Sequence, residues 1–217
     1  MPYADIAPLY AGLSLRDRLY ARIRYATAPL EKVAALVPPD VVSVVELGCS
    51  AGVFVNVLKA RRPGLDVVGV DADERKINGA VKTAAGREGV AFVLDDAYAY
   101  LKSRGPFDAV AVVDMLYLLP PGRQDELILL AAARLRPGGY LIIKEMTDRP
   151  VWKRRWCYFQ EWLAVRVFGL TEGAGIFLRA GDDYRVAMER AGLEVETFDL
   201  TRGYPHPHFA LRGRKAS

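Results

Sequence analysis

Cysteine is scarce. Cys49 and Cys157 are the only two, too few for a disulfide framework and not spaced as zinc ligands. No apolar run reaches the roughly 18–20 residues that a membrane-spanning helix needs. The opening residues Met1-Pro2-Tyr3-Ala4-Asp5 lack the basic and apolar regions of a secretory signal. The expected location is therefore the cytoplasm. Internal repeats and low-complexity tracts are missing, and no recognised nucleic-acid motif accompanies the mild net charge of +4, so nucleic acid is not an expected partner. No acidic metal-ligand cluster is present either, and no metal is expected.

Hydrophobic residues make up 52% of the 217, enough for a sizeable core in one domain. The excess positive charge gathers near Arg16–Arg24, at Lys153-Arg154-Arg155 and at Arg212–Lys215. Most of it reads as solvated surface. An anionic substrate, a carrier protein or a lipid surface are the other readings.

Residues 1–40 read as a helical cap. Ser14 with Asp17 looks like a capping box, and Leu15, Leu19 and Ile23 recur at helical spacing. Pro29 and Pro38-Pro39 close the segment. From there strands alternate with helices, the pattern of a parallel sheet covered by helices. Strands are expected at Val41–Leu47, Asp66–Asp71, Val90–Leu94, Phe107–Asp114, Tyr140–Glu145, Leu193–Leu200 and His208–Arg214. Helices are expected at Ala51–Arg62, Asp73–Gly86, Ala97–Ser103, Arg123–Arg136 and Asp182–Ala191. The last two strands are joined by a turn too short for a crossover, so they are antiparallel. Residues from about 150 to 181 interrupt this rhythm. They hold all three tryptophans and read as an aromatic insertion, expected to form a lid.

The first strand ends in Glu46-Leu47-Gly48-Cys49-Ser50-Ala51-Gly52 and runs into a helix. Small residues there permit a tight turn and close approach of a ligand to backbone N–H groups. The second strand ends in Asp71, 19 residues beyond Gly52, where a carboxylate meets ribose hydroxyls in nucleotide-binding sheets. A nicotinamide dinucleotide fits poorly, since Val53 and Phe54 replace the small residues its pyrophosphate needs. Gly48-Cys49-Ser50-Ala51-Gly52 also matches the nucleophile elbow of serine hydrolases. That elbow follows several strands, whereas only one strand leads into this one, and a hydrolase using Ser50 is set aside as a minor alternative.

The remaining features resemble the class I methyltransferases that use S-adenosylmethionine (SAM), over about Val41 to Arg214. Val45 to Gly52 is similar to that family's first motif, with Ser50 in place of its middle glycine. Val70-Asp71 is similar to the ribose-binding acid. Leu94-Asp95-Asp96-Ala97 is similar to the adenine-binding segment, Phe107 to Val110 and Asp114 to Leu116 to the fourth-strand motif, and Leu135 to Leu141 to the turn into strand five. The resemblance implies an α/β, Rossmann-like seven-stranded sheet, parallel except for an antiparallel last strand, with helices on both faces. It implies SAM as cofactor and S-adenosylhomocysteine as product. Glu46 would bind the methionyl ammonium and Gly48, Cys49, Ser50 and Gly52 would pack beneath the methionyl and ribose parts. Asp71 and Ala72 would meet the ribose, Asp95, Asp96 and Ala97 the adenine, and Asp114 and Met115 the methionyl end.

On the acceptor side the turn Tyr204-Pro205-His206-Pro207-His208 holds both histidines. An antiparallel last strand starts at the carboxyl edge of the parallel ones, where ligands sit. His208, and next His206, are the candidate bases. Tyr25, Lys144, Trp152, Trp156 and Tyr204 are the candidate substrate contacts. The expected reaction is metal-independent O-methylation, or C-methylation, of a lipophilic small molecule, free or carrier-bound. A non-catalytic SAM-binding accessory protein is the alternative. Peripheral membrane contact through Lys153-Arg154-Arg155 and its neighbouring tryptophans ranks below burial of that segment. The oligomeric state is left open, a homodimer included.

Overall fold

The computed structural model describes residues 2–146, 175, 177–204 and 207–217. The expected aromatic insertion, with Trp152 and Trp156, lies almost wholly outside them, and so does His206.

Two short 3-10 turns, Tyr3–Asp5 and Ala7–Tyr10, precede α1 (Leu15–Thr27) and α2 (Leu30–Ala34). Ser14 caps α1, its hydroxyl oxygen accepting from the Asp17 N–H at 3.2 Å. Then follow β1 (Ser43–Leu47), α3 (Val53–Arg61), β2 (Asp66–Asp71), α4 (Glu74–Ala84), β3 (Val90–Leu94), α5 (Ala97–Ser103) and β4 (Phe107–Val113). The chain ends with α6 (Pro121–Arg134), β5 (Leu135–Met146), α7 (Gly181–Arg190), β6 (Leu193–Asp199) and β7 (His208–Lys215). Asp73 and Asp96 start α4 and α5 by accepting backbone N–H groups of the first turn, and Pro121 opens α6 where its missing N–H costs nothing.

The seven strands form one sheet in the order β3-β2-β1-β4-β5-β7-β6. Five are parallel, β7 runs antiparallel to β5, and β6 runs antiparallel to β7. β1 pairs with both β2 and β4, so the strand order reverses there, and a crevice opens at the carboxyl ends of β1 and β4. β5 begins earlier than the sequence suggests. Leu135 already pairs with Phe107, and the register then jumps to Ala109 opposite Tyr140, which takes Pro137-Gly138-Gly139 up as a bulge.

Alternate strand residues feed two cores. Val44, Val67, Ala109, Ala111 and Ile142 pack with α2, α3 and Ile77 of α4. Val45, Val70, Val110, Val112 and Ile143 pack with α5, α6 and α7. The segment ahead of β1 contributes Ile6, Tyr10, Leu30 and Val33 to the first core. α1 is different. Ala21 is its only buried residue, while Leu15, Leu19 and Ile23, the stripe that marks the helix in the sequence, are 79%, 49% and 49% exposed.

Candidate functional site

Gly48 and Gly52 carry the chain from β1 into α3 with positive φ angles of 73° and 72°. A Cβ on Gly52 would lie 2.4 Å from the Phe92 ring, so conformation and space both require glycine. Ser50, at φ 50°, occupies the same sparsely used region. The turn is tied to β2. Gly48 and Cys49 donate to the Val70 carbonyl at 2.8 and 3.0 Å. The Ser50 N–H donates to one oxygen of Asp71 at 2.8 Å, and the Asp73 N–H donates to the other at 2.9 Å. A carboxylate offers about four acceptor positions, so Asp71 keeps capacity toward the cavity it lines. Behind the turn, the Tyr10 hydroxyl donates to the Ala51 carbonyl at 3.2 Å, and Asn56 donates to Tyr10 at 2.8 Å and to Thr83 at 2.9 Å. Burial, then the charges of Glu46 and Asp71, push the Cys49 thiol well above its usual range, which argues against a reactive thiolate.

Over the crevice lies a cavity of about 580 Å³, a size suited to a cofactor or drug-sized ligand. Gly48, Ser50 and Asp71 line it along the strand ends of β1 and β2, as do Asp95, Asp96 and Ala97 beyond β3. Met115, Tyr117, Leu118 and Leu119 contribute after β4, and α1 adds Leu19, Tyr20, Ile23 and Arg24. A smaller recess of about 80 Å³ shares Tyr20, Arg24, Gly48 and Asp114 with the cavity and is also lined by Glu46.

The charges around the recess are unequal. Asp114 follows β4 at φ 53°. Its carboxylate is gripped by Arg24 of α1 and by Lys144 of β5, whose Nζ lies 2.5 Å from each oxygen. Burial alone would raise the Asp114 pKa, but the charges of Arg24 and Lys144 prevail and hold it well below the ordinary carboxylate range. Glu46 is the converse case. It is 2% exposed, one of its oxygens has no partner, and burial drives its pKa well above normal despite Arg24. Glu145 points to the opposite face of the sheet from Lys144. One of its oxygens accepts the Met115 and Leu116 N–H groups at 3.0 and 2.7 Å, which fixes the start of the loop after β4. Burial, then the nearby Asp114 charge, push Glu145 up to about 8.

Residues 16–197 match the family model described as a methyltransferase domain. The chain belongs to that family. It is a class I SAM-dependent methyltransferase in fold. No curated protein sequence matches it. Among solved structures, an O-methyltransferase family protein of Burkholderia thailandensis superposes with a TM-score of 0.72 at 20% identity, covering 97% of this chain and 62% of the other. This chain thus spans less than two thirds of that protein. The N-methyltransferase NodS of Bradyrhizobium japonicum gives a TM-score of 0.64 at 19% identity, over 94% of this chain and all of the other. Magnesium protoporphyrin IX methyltransferase of Synechocystis, solved with bound SAM, gives 0.64 at 17% identity over 99% and 91%. At such identities the likeness is one of fold.

The fold of this methyltransferase brings Gly48, Ser50, Asp71, Ala72, Asp95, Asp96, Ala97, Asp114 and Met115 around one cavity, and Glu46 and Cys49 around its recess. Gly52 lies just behind them at the start of α3. Asp96 also caps α5, one oxygen accepting from Tyr98 at 2.9 Å and Ala99 at 3.1 Å.

The acceptor-side expectations fare differently. His208 starts β7 at the expected rim, but its side chain is 3% exposed, outside the cavity lining, with Nε2 3.0 Å from the Thr27 carbonyl. A ring nitrogen facing a carbonyl donates to it, so the His208 side chain is turned to the end of α1 and away from the cavity where a base would act. Lys144 likewise is fully buried beneath Asp114 and does not line the cavity. Tyr25 turns to Tyr3, at 5.3 Å between ring centroids, and to Glu31. Tyr204 packs between Lys32 and the edge of His208. Neither tyrosine lines the cavity. The Ser50 hydroxyl meets Tyr20 at 3.2 Å, and no serine–histidine pair exists among the described residues. Tyr20, one helical turn before Arg24, is a lining residue that the sequence reading does not single out. The signal was available, because positions four apart on a helix share a face.

Proposed function

We propose that the protein transfers a methyl group from SAM to a hydroxyl or acidic carbon of a lipophilic small molecule, without a metal. The observation that carries this reading is the recess. A buried Glu46 oxygen without a partner stands beside the guanidinium of Arg24. A site that offers an anion and a cation together suits an amino-acid zwitterion, and SAM ends in one. The remaining cofactor assignments fit around it. Asp71 has acceptor capacity left for ribose hydroxyls, and Asp95, Asp96 and Ala97 stand beyond it for the adenine. Bound there, SAM supplies a methyl group activated on a sulfonium.

What the chain's own residues contribute is placement and exclusion of water. Glu145 holds the Met115–Leu116 backbone, and Asp114 is fixed from both sides by Arg24 and Lys144. Leu19, Ile23, Leu118 and Leu119 give the cavity apolar walls, which supports a lipophilic acceptor. Among the described residues no group of three or more His, Cys, Asp or Glu side chains is arranged to hold a metal. Chelator is accordingly expected to leave turnover unchanged.

Calorimetry with SAM tests the reading directly. Micromolar affinity is expected, reduced about a hundredfold or more in Asp71→Ala, which loses two ribose hydrogen bonds made by a charged acceptor. Unchanged affinity would remove Asp71 from the site. Tight binding with no S-adenosylhomocysteine formed from any acceptor would favour the non-catalytic alternative.

A further inference from the structure

An amphipathic helix on a globular domain ordinarily turns its apolar stripe to the core. α1 does the reverse. Leu15, Leu19 and Ile23 lie one turn apart along an exposed side, at 79%, 49% and 49%, while the side against the sheet carries Ala21, Arg24 and the Tyr20 hydroxyl. Arg16, Arg18 and Arg22 are exposed beside the stripe. Among the described residues none of the three forms a salt bridge. The stripe also leads inward, because Leu19 and Ile23 line the 580 Å³ cavity.

We propose that α1 is an interfacial helix that seats the protein on an anionic lipid surface. An exposed apolar stripe flanked by arginines is the pattern of a helix lying in the plane of a headgroup layer. Each unpaired arginine gains from anionic headgroups, and each leucine or isoleucine gains from leaving water. No described helix is long and apolar enough to cross a membrane, so the contact is one of lying on the bilayer. Charge complementarity selects anionic lipid over a neutral apolar partner. Continuity with the cavity gives the contact a use, since a lipophilic acceptor dissolved in the bilayer would meet the cavity mouth without crossing water. That use rests on the proposed function; the docking itself does not.

The test is co-sedimentation with phosphatidylcholine vesicles, with and without about a third of the lipid as phosphatidylglycerol. Wild-type protein is expected to bind the anionic vesicles, and to release in high salt as screening removes the arginine contribution. Leu15→Glu should lower partitioning about tenfold or more, and Arg18→Glu with Arg22→Glu about thirtyfold or more. None of these three residues lines the cavity or recess. Melting temperature and affinity for SAM should therefore stay at wild-type values. Equal binding of wild type and variants, or equal binding to neutral vesicles, overturns the proposal. So does a wild-type dimer that Leu15→Glu makes monomeric without any vesicle binding, which would assign the stripe to a second copy. Vesicle binding with no affinity for SAM would keep the docking and sink the methyltransferase reading instead.

Discussion

Glu46 is a carboxylate waiting for a cation. Burial keeps it protonated above the pH at which ordinary carboxylates ionise. An ammonium placed beside it lowers its pKa, so SAM binding should expel a proton and tighten as pH rises toward the free-state value, levelling off above it. Calorimetry in two buffers of different ionisation enthalpy, repeated upward from the ordinary carboxylate range, should give different apparent binding enthalpies wherever that proton is released. Glu46→Gln should abolish that difference and weaken binding roughly tenfold to a hundredfold. Buffer-independent enthalpies would place the ammonium elsewhere. Asp71 stands out in the sequence itself, as an acid that ends an apolar strand nineteen positions past a glycine turn, whereas the role expected of Glu46 comes from the family resemblance. Lys144, Tyr25, Tyr204 and His208 are candidates by their place in the chain, and none of the four lines the cavity. Where a rim side chain points is decided by strand register and by what packs on it. For Lys144 and His208 the deciding partners, Asp114 and Thr27, come from elements distant in the chain.

Among the described residues, helix α1 is stapled to the sheet along the side that carries Tyr20, Arg24 and Thr27. Tyr20 reaches Ser50, Arg24 reaches Asp114 and the Val113 carbonyl, and Thr27 receives His208. Arg24 is the strongest of these ties, a guanidinium on a buried carboxylate. Arg24→Met should cost about 2–3 kcal/mol in denaturant unfolding, somewhat less than the usual penalty for breaking a buried pair because Lys144 still neutralises Asp114. It should also weaken SAM binding if, as proposed, the recess takes the amino-acid end of SAM, since the recess loses its guanidinium. A variant with wild-type affinity would leave Arg24 a structural role alone. The existence of α1 was plain from Ser14 and the spacing of Leu15, Leu19 and Ile23. Its orientation was not, because periodicity identifies a face without saying what that face meets. β5 illustrates the same limit at a boundary. Pro137-Gly138-Gly139 looks like the end of a loop, yet pairing with β4 draws Leu135 into the strand and leaves the glycines as a bulge.

For the molecule as a whole, buried carboxylates of opposite tendency set the dependence of stability on pH. Asp114, held below its ordinary range, contributes stability that is lost as pH falls through acid values. Glu145 is raised from 4.5 to about 8, so its contribution is fully present below about pH 4.5 and is lost as pH rises through 8. Lys144, lowered by burial to about 8, acts only above that window. Unfolding free energy should therefore decline from mildly acidic pH toward pH 8. Glu145→Gln keeps the accepting oxygen but cannot ionise, and should flatten the decline in part, Glu46 supplying the remainder. Parallel curves for wild type and variant would show that Glu145 binds its proton equally in the folded and unfolded states. The parallel order of the sheet and its antiparallel end followed from element rhythm and one short connection, features that depend on chain length more than on any single residue. That antiparallel end also fixes an order of events during synthesis. β7, the last of the seven strands to leave the ribosome, sits between β5 and β6. Until residues 208–215 emerge, β6 has no partner, β5 offers an unpaired edge, and α1 lacks the histidine that holds its final carbonyl. A nascent chain stalled short of β7 should thus carry two open strand edges, the arrangement that recruits chaperones or pairs with a neighbouring chain.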